Sequence, residues 1–141
     1  MFRFFLSFIV AFFMSAVALA DDIGLPDQSA MQATISAQLE AFKKDDGAVA
    51  YSFAAPIVKN IFPTAEIFMT MVKRGYEPVF RNNTYRFTEL ATDGFGRPLQ
   101  HVIISASDGR RYEALYAMQK MDDGSWKIAG VQIVEIPSVD A

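Results

Sequence analysis

Two Asp-Gly pairs, Asp108-Gly109 and Asp123-Gly124, interrupt the largely apolar stretch 99–136 and constrain the fold more than any other feature. Asp-Gly supplies the positive-φ positions that tight hairpin turns need. The flanking segments 99–107, 110–121 and 126–136 are rich in Val, Ile, Tyr and Trp. They predict three antiparallel strands in a meander. A meander of this kind requires an apolar cover, and helical patterns earlier in the chain offer one.

The start of the chain reads as an export signal. Met1-Phe2-Arg3 is a short basic opening, and residues 4–17 are apolar apart from Ser7 and Ser15. Ala18-Leu19-Ala20 then gives the small-x-small pattern of a cleavage site before Asp21-Asp22. An apolar run of about 14 residues falls short of the roughly 20 that span a bilayer. The expectation is cleavage after Ala20, a periplasmic or secreted protein, and membrane contact only through the signal before cleavage. The 141 residues carry a net charge of −3; removing Arg3 from 13 basic residues leaves 12 against 16 acidic ones, or −4. That balance argues against nucleic acid, which favours a basic stripe. With no cysteine, the exported chain folds without disulfides.

Residues 21–28, with Gly24 and Pro26, read as a flexible leader. Ser29 and Gln32 form a capping-box pattern that opens a first helix. Met31, Ile35, Leu39 and Phe42 form its apolar stripe, while Gln32, Gln38, Glu40, Lys43 and Lys44 fill its outer face. Gly47 is the expected left-handed stop. A second helix over 48–53 ends before Pro56, and 57–62 is an apolar connector expected beneath the sheet. Pro63-Thr64 opens a third helix, with Ile67, Phe68, Met71 and Val72 buried and Gly75 at its end. A loop over 76–83 leads into a first strand at 84–92, and 93–98 is a turn. Residues 29–136 thus form one domain, and 137–141 form a tail.

If Asp108-Gly109 is a two-residue loop, His101 lies opposite Tyr116 and Ile103 opposite Ala114. If the second turn centres on Asp123-Gly124, Tyr116 lies opposite Val131 and Glu113 opposite Val134. One face then carries Leu99, His101, Ile103, Ser105, Tyr112, Ala114, Tyr116, Met118, Ala129, Val131 and Ile133. The other carries Val102, Ile104, Ala106, Leu115, Ala117, Trp126, Ile128, Gly130 and Val134. Neither set is polar, and a one-residue slip would exchange them. Three helices cover one face, so a homodimer through the outer sheet face is the expected cover of the other.

Helices followed by an antiparallel meander ending in Asp123-Gly124-Ser125-Trp126-Lys127-Ile128 resemble the nuclear-transport-factor-2-like, or cystatin-like, superfamily. The nearer resemblance is to an exported proteobacterial family, domain of unknown function family 4864. It is carried by Phe53-Ala54-Ala55-Pro56, Phe62-Pro63-Thr64, the run from Met71 to Val79, and the run from Asp123 to Gly130. The resemblance implies an α+β fold: three N-terminal helices packed on a curved antiparallel sheet of about four strands, forming a cone with an internal pocket. The family has no assigned activity, so no functional residue follows from it.

Some members of the superfamily are isomerases or dehydratases with an internal general base. The only histidine, His101, facing Tyr116, is the weak catalytic candidate for such a reaction. Glu113 and Glu89 are secondary carboxylates. The expected ligand pocket comprises His101, Tyr116, Tyr112 and Phe68, and a small apolar compound is its expected occupant. No cofactor or metal is expected: one His and no Cys make a poor ligand set, and Asp45-Asp46 and Asp122-Asp123 suit turns. No nucleophile elbow or phosphate loop is present. Lys73, Arg74, Arg81 and Arg86 are close in sequence and offer an anion or lipid-headgroup contact, although a solvated helix end and loop is the preferred reading. The leading reading is a non-enzymatic module that binds a small ligand or a protein. The alternative is a small enzyme using His101.

Overall fold

The computed structural model describes residues 23–138. The expected signal, Asp21-Asp22 and the last three residues of the tail lie outside the described residues. Five helices precede four strands: α1 (Leu25–Lys43), α2 (Gly47–Ser52), α3 (Pro56–Ile61), α4 (Ala65–Gly75), α5 (Glu77–Phe80), β1 (Asn82–Thr92), β2 (Pro98–Ala106), β3 (Arg111–Lys120) and β4 (Trp126–Ile136). The strands form one antiparallel sheet in the order β1-β2-β3-β4. The fold is α+β, with five helices among the described residues where three were expected. The two additional helices, α3 and α5, have Pro56 and Pro78 in their first turns. Proline at a helix start forfeits no hydrogen bond and presets φ, so these residues begin helices rather than end them.

Helix α1 begins four residues before Ser29. Pro26 sits in its first turn and Asp27 places a carboxylate at the positive end of the dipole. Residues 25–28 of the expected leader are therefore helical. Met31, Ile35, Leu39 and Phe42 are buried as a stripe, but so are Gln38 and Ala41. The expectation that Gln38 faces outward is wrong because α2 packs against a second side of α1; Gln38 Nε2 donates to Ala50 O at 3.1 Å. At the end of α1, Asp45 takes the left-handed conformation (φ 56°), the place expected for Gly47. Asp46 accepts a hydrogen bond from Val49 N–H and caps α2. Gly47 instead permits close approach: a Cβ there would fall 2.8 Å from Met69 Cγ on α4.

The connector over 57–62 does not pass beneath the sheet. It is α3, which has no buried residue and lies beside the sheet, pinned at both ends. Ala55 N–H donates to Ile128 O, and Ile128 N–H donates to Phe53 O, both at 2.8 Å. At the far end the Tyr51 hydroxyl donates to Phe62 O. Helix α4 is capped by Thr64, whose Oγ1 accepts from Ile67 N–H at 3.1 Å. It buries Phe68, Met69 and Val72, leaving Ile67 exposed and Met71 half-buried. The loop expected over 76–83 holds α5, which buries Val79 and Phe80.

The first hairpin sets β2 and β3 one residue away from the expected register. Ala106 N–H donates to Arg110 O at 2.8 Å and Gly109 N–H to Ala106 O at 3.1 Å, so the loop has three residues, with Gly109 at φ 88°. His101 consequently pairs with Leu115, Ile103 with Glu113 and Gln100 with Tyr116. The second turn is of the same kind, closed by Met121 N–H to Ser125 O at 2.7 Å with Gly124 at φ 87°. Here a register shift between Ala117 and Met118 restores the expected pairs Tyr116–Val131 and Glu113–Val134. Opposed residues share a face. Val102, Ile104, Ala114, Tyr116 and Met118 therefore line the inner face and are fully buried under α1. His101 shares the outer face with Leu115, Ile103, Glu113, Arg86, Gln132 and Val134. The outer face is mixed rather than apolar, so the premise that both faces need covering does not hold.

Candidate functional site

The described surface is indented by an apolar cleft of ≈ 290 Å³ between α3, α4 and the start of β4. Ile57, Val58, Ile61 and Phe62 form one wall, and Phe68, Met71 and Val72 form the opposite one. Ile128, Ala129, Gly130 and Val131 contribute the sheet side, while Phe42 and Gln38 of α1 lie at the base. Each wall follows from local sequence. Pro56 starts α3 so that Ile57, Val58 and Ile61 fall on adjoining faces, and the stripe of α4 presents Phe68, Met71 and Val72 at helical spacing. The two anchors described above hold α3 away from α4, so the space between them is framed rather than collapsed.

The rim is unusually apolar for a solvated helix: Ile57 is 51% exposed and Ile61 65%. No charged side chain lines the cleft. Its polar side-chain groups are the Gln38 amide and the Tyr76 hydroxyl. Gln38 is only 3% exposed, and Nε2 is occupied by Ala50 O. Neither Gln38 Oε1 nor the Tyr76 hydroxyl has a hydrogen-bond partner among the described residues. An amide oxygen at the base of an apolar cleft favours a ligand able to supply a donor, because a ligand without one would desolvate it unpaired.

The structure disperses the residues expected from sequence to form the pocket. Phe68 lines the cleft; His101, Tyr116 and Tyr112 do not. His101 and Tyr116 lie on opposite faces of the sheet because of the one-residue register difference. The expected proton-transfer pair is therefore absent. Tyr116 is fully buried and its hydroxyl has no partner; burial, with a smaller contribution from Tyr85, pushes its pKa upward. Tyr112 pairs with Ile104 and Glu135 toward the far end of the strands.

His101 lies instead between two carboxylates on the outer face. Nδ1 is 3.4 Å from Glu113 Oε2 and Nε2 is 3.7 Å from Glu89 Oε1, with the imidazole 15% exposed. None of the three lines the apolar cleft, and no metal-holding cluster of His, Cys, Asp or Glu occurs among the described residues. The basic group dissolves in the same way. Arg81 Nη2 pairs with Asp45 Oδ1 at 2.9 Å, and Lys73 sits over the Phe80 ring at 5.5 Å. No helix among the described residues is long and apolar enough to cross a membrane.

Gln38 and α3 are what sequence reasoning missed. The available signal was the surplus of apolar residues at Ile57, Val58, Ile61 and Phe62, too many for a surface helix to hide. The fold and the cleft together define a small α+β domain whose helices cover one face of an antiparallel sheet and leave an apolar opening at its side. The chain belongs to the family described as Domain of unknown function (DUF4864), which matches residues 25–141. The match begins where α1 begins. No curated protein and no solved structure matches the chain.

Proposed function

We propose that this protein is a non-enzymatic binding module, exported from the cytoplasm, that holds a small apolar ligand between α3, α4 and β4. The apolar, framed cleft with its exposed isoleucine rim carries this reading. Burying apolar surface contributes about 25 cal/mol per Å², so a ligand that covers Ile57 and Ile61 gains binding energy without new polar contacts. Acid–base catalysis needs a proton-transfer group within reach of the substrate. The cleft offers only the Tyr76 hydroxyl, and His101 is on the other side of the sheet. Helices laid over an antiparallel sheet with register shifts also fit the cone of the nuclear-transport-factor-like superfamily, with its cavity displaced to the side.

Native mass spectrometry of protein purified from its own compartment tests the binding reading. A retained small molecule, lost on mild activation, is the expected result. A bare chain that also takes up no medium-chain apolar compound when titrated would contradict it. Export is tested separately: N-terminal sequencing should begin at Asp21, and a cytoplasmic chain beginning at Met1 would end that part of the proposal.

A further inference from the structure

The base of the cleft is more specific than its walls. Gln38 is held by Ala50 through Nε2, which fixes the amide and leaves Oε1 as the group without a partner. Among the residues around it are Phe42, Phe68 and Val72, none of which can donate a side-chain hydrogen bond. A ligand that fills the cleft strips water from this oxygen, and a donor on the ligand offsets that loss where an ether cannot. The same surroundings exclude a charged head, because no cation or anion in the lining would offset its desolvation. The volume, ≈ 290 Å³, lies at the lower end of small-molecule sites, which start at about 300 Å³. Resting on the cleft-binding reading above, we propose that the ligand is a neutral, medium-chain amphiphile whose single hydrogen-bond donor meets Gln38 Oε1 and whose chain runs between α3 and α4 to the isoleucine rim.

Two isomers separate the donor from the chain: 1-octanol donates a hydrogen bond, and heptyl methyl ether, with the same atoms, cannot. Titration of each into the purified protein, followed by amide and side-chain NMR shifts, reads both affinities. The alcohol should bind about tenfold more tightly than the ether, the ratio one hydrogen bond to a buried acceptor supplies. Octanoate, the anion, should bind more weakly than either. Gln38→Met should equalise alcohol and ether, whereas Tyr76→Phe should preserve the preference. Equal affinities on the unmodified protein, tighter binding of octanoate, or loss of the preference only in Tyr76→Phe would overturn the proposal. The alcohol-to-ether ratio needs no variant, so a Gln38→Met chain that fails to fold leaves the test intact. Binding of neither isomer would overturn the cleft reading as well, whereas equal binding would overturn only the role of Gln38. In a sample that mixes isotope-labelled and unlabelled chains, intermolecular nuclear Overhauser contacts from Val58 and Val72 methyls to a second copy instead of added alcohol would place that copy in the cleft, and would also overturn it.

Discussion

The indole nitrogen of Trp126 donates to Asp27 Oδ1 at 3.3 Å, joining the first turn of α1 to the first residue of β4. Lys120 Nζ reaches the same oxygen at 3.3 Å and also lies over the indole, 5.9 Å from its centroid. One carboxylate thus registers the covering helix against the β3–β4 hairpin. Trp126→Ala should cost about 3–5 kcal/mol, the range for truncating a buried aromatic. Asp27→Ala should cost about 1 kcal/mol, from one lost hydrogen bond and the lost dipole contact. Denaturant melts measure both; a loss below about 1 kcal/mol for Trp126→Ala would contradict the packing described.

Tyr116 gives a prediction of opposite sign. Its hydroxyl is buried without a partner, so Tyr116→Phe removes an unsatisfied group and leaves the ring packing in place. The variant should be more stable, by about 1 kcal/mol. Burial raises the folded-state pKa above the ordinary value of about 10. The unfolded chain therefore ionises first, and stability contributed by the neutral phenol falls as pH rises above about 10. Tyr116→Phe should flatten that alkaline decline. A destabilised variant with an unchanged alkaline limb would show that the hydroxyl has a partner.

Acid should act through two turn aspartates. Backbone N–H groups of Arg97 and Phe95 donate to Asp93 Oδ1 at 2.9 and 2.8 Å, and the Arg97 contact leads in lowering its pKa. At Asp123 the Ser125 hydroxyl, at 2.6 Å, leads in the same direction, followed by the Ser125 N–H at 2.9 Å. A carboxylate whose folded pKa is lowered stabilises the fold fully above the unfolded value, near 3.9. It loses that contribution as pH falls through the lowered folded value. Thermal melts between pH 6 and 2 should show a shallower acid decline for the Asp93→Asn, Asp123→Asn double variant than for the unmodified chain. Parallel declines would contradict the assignment.

The close approach of α2 to α4 is also testable. Gly47→Ala places a Cβ 2.8 Å from Met69 Cγ, a mid-chain atom that cannot swing aside freely. Overpacking of this kind costs about 1–3 kcal/mol. Met69→Ala in the same chain should recover part of the loss, giving a non-additive pair. Additive losses in denaturant melts would place the strain elsewhere.

The meander and the main apolar stripe of α1 were legible in the sequence, because Asp-Gly pairs and helical spacing are local signals. The register of β2 on β3 was not. Asp108-Gly109 fits a two-residue loop and a three-residue loop alike, and the choice depends on whether Ser107 or Ala106 closes it. That single residue moved Tyr116 to the core and left His101 on the outer face, dissolving the site expected from sequence. The same ambiguity at Asp123-Gly124 did no harm, since the register shift beside Met118 compensated for it. The burial of Phe68 on α4 was legible because one helical stripe sufficed. Gln38 was not, because its burial depends on α2 packing beside α1, a contact that the pattern within α1 does not encode. Pro56 carried both meanings, helix end and helix start, and only the anchoring of Ala55 to Ile128 decides between them.

The most direct test of the cleft is an NMR titration of 1-octanol into three chains: unmodified, Ile61→Asp and His101→Ala. Ile61 is exposed, so Ile61→Asp should fold normally while placing a charge at the mouth of an apolar site. The account predicts saturable shifts confined to α3, α4 and residues 128–131. Affinity should weaken about tenfold or more in Ile61→Asp and stay unchanged in His101→Ala. Undiminished binding in Ile61→Asp, or binding lost only in His101→Ala, would contradict it.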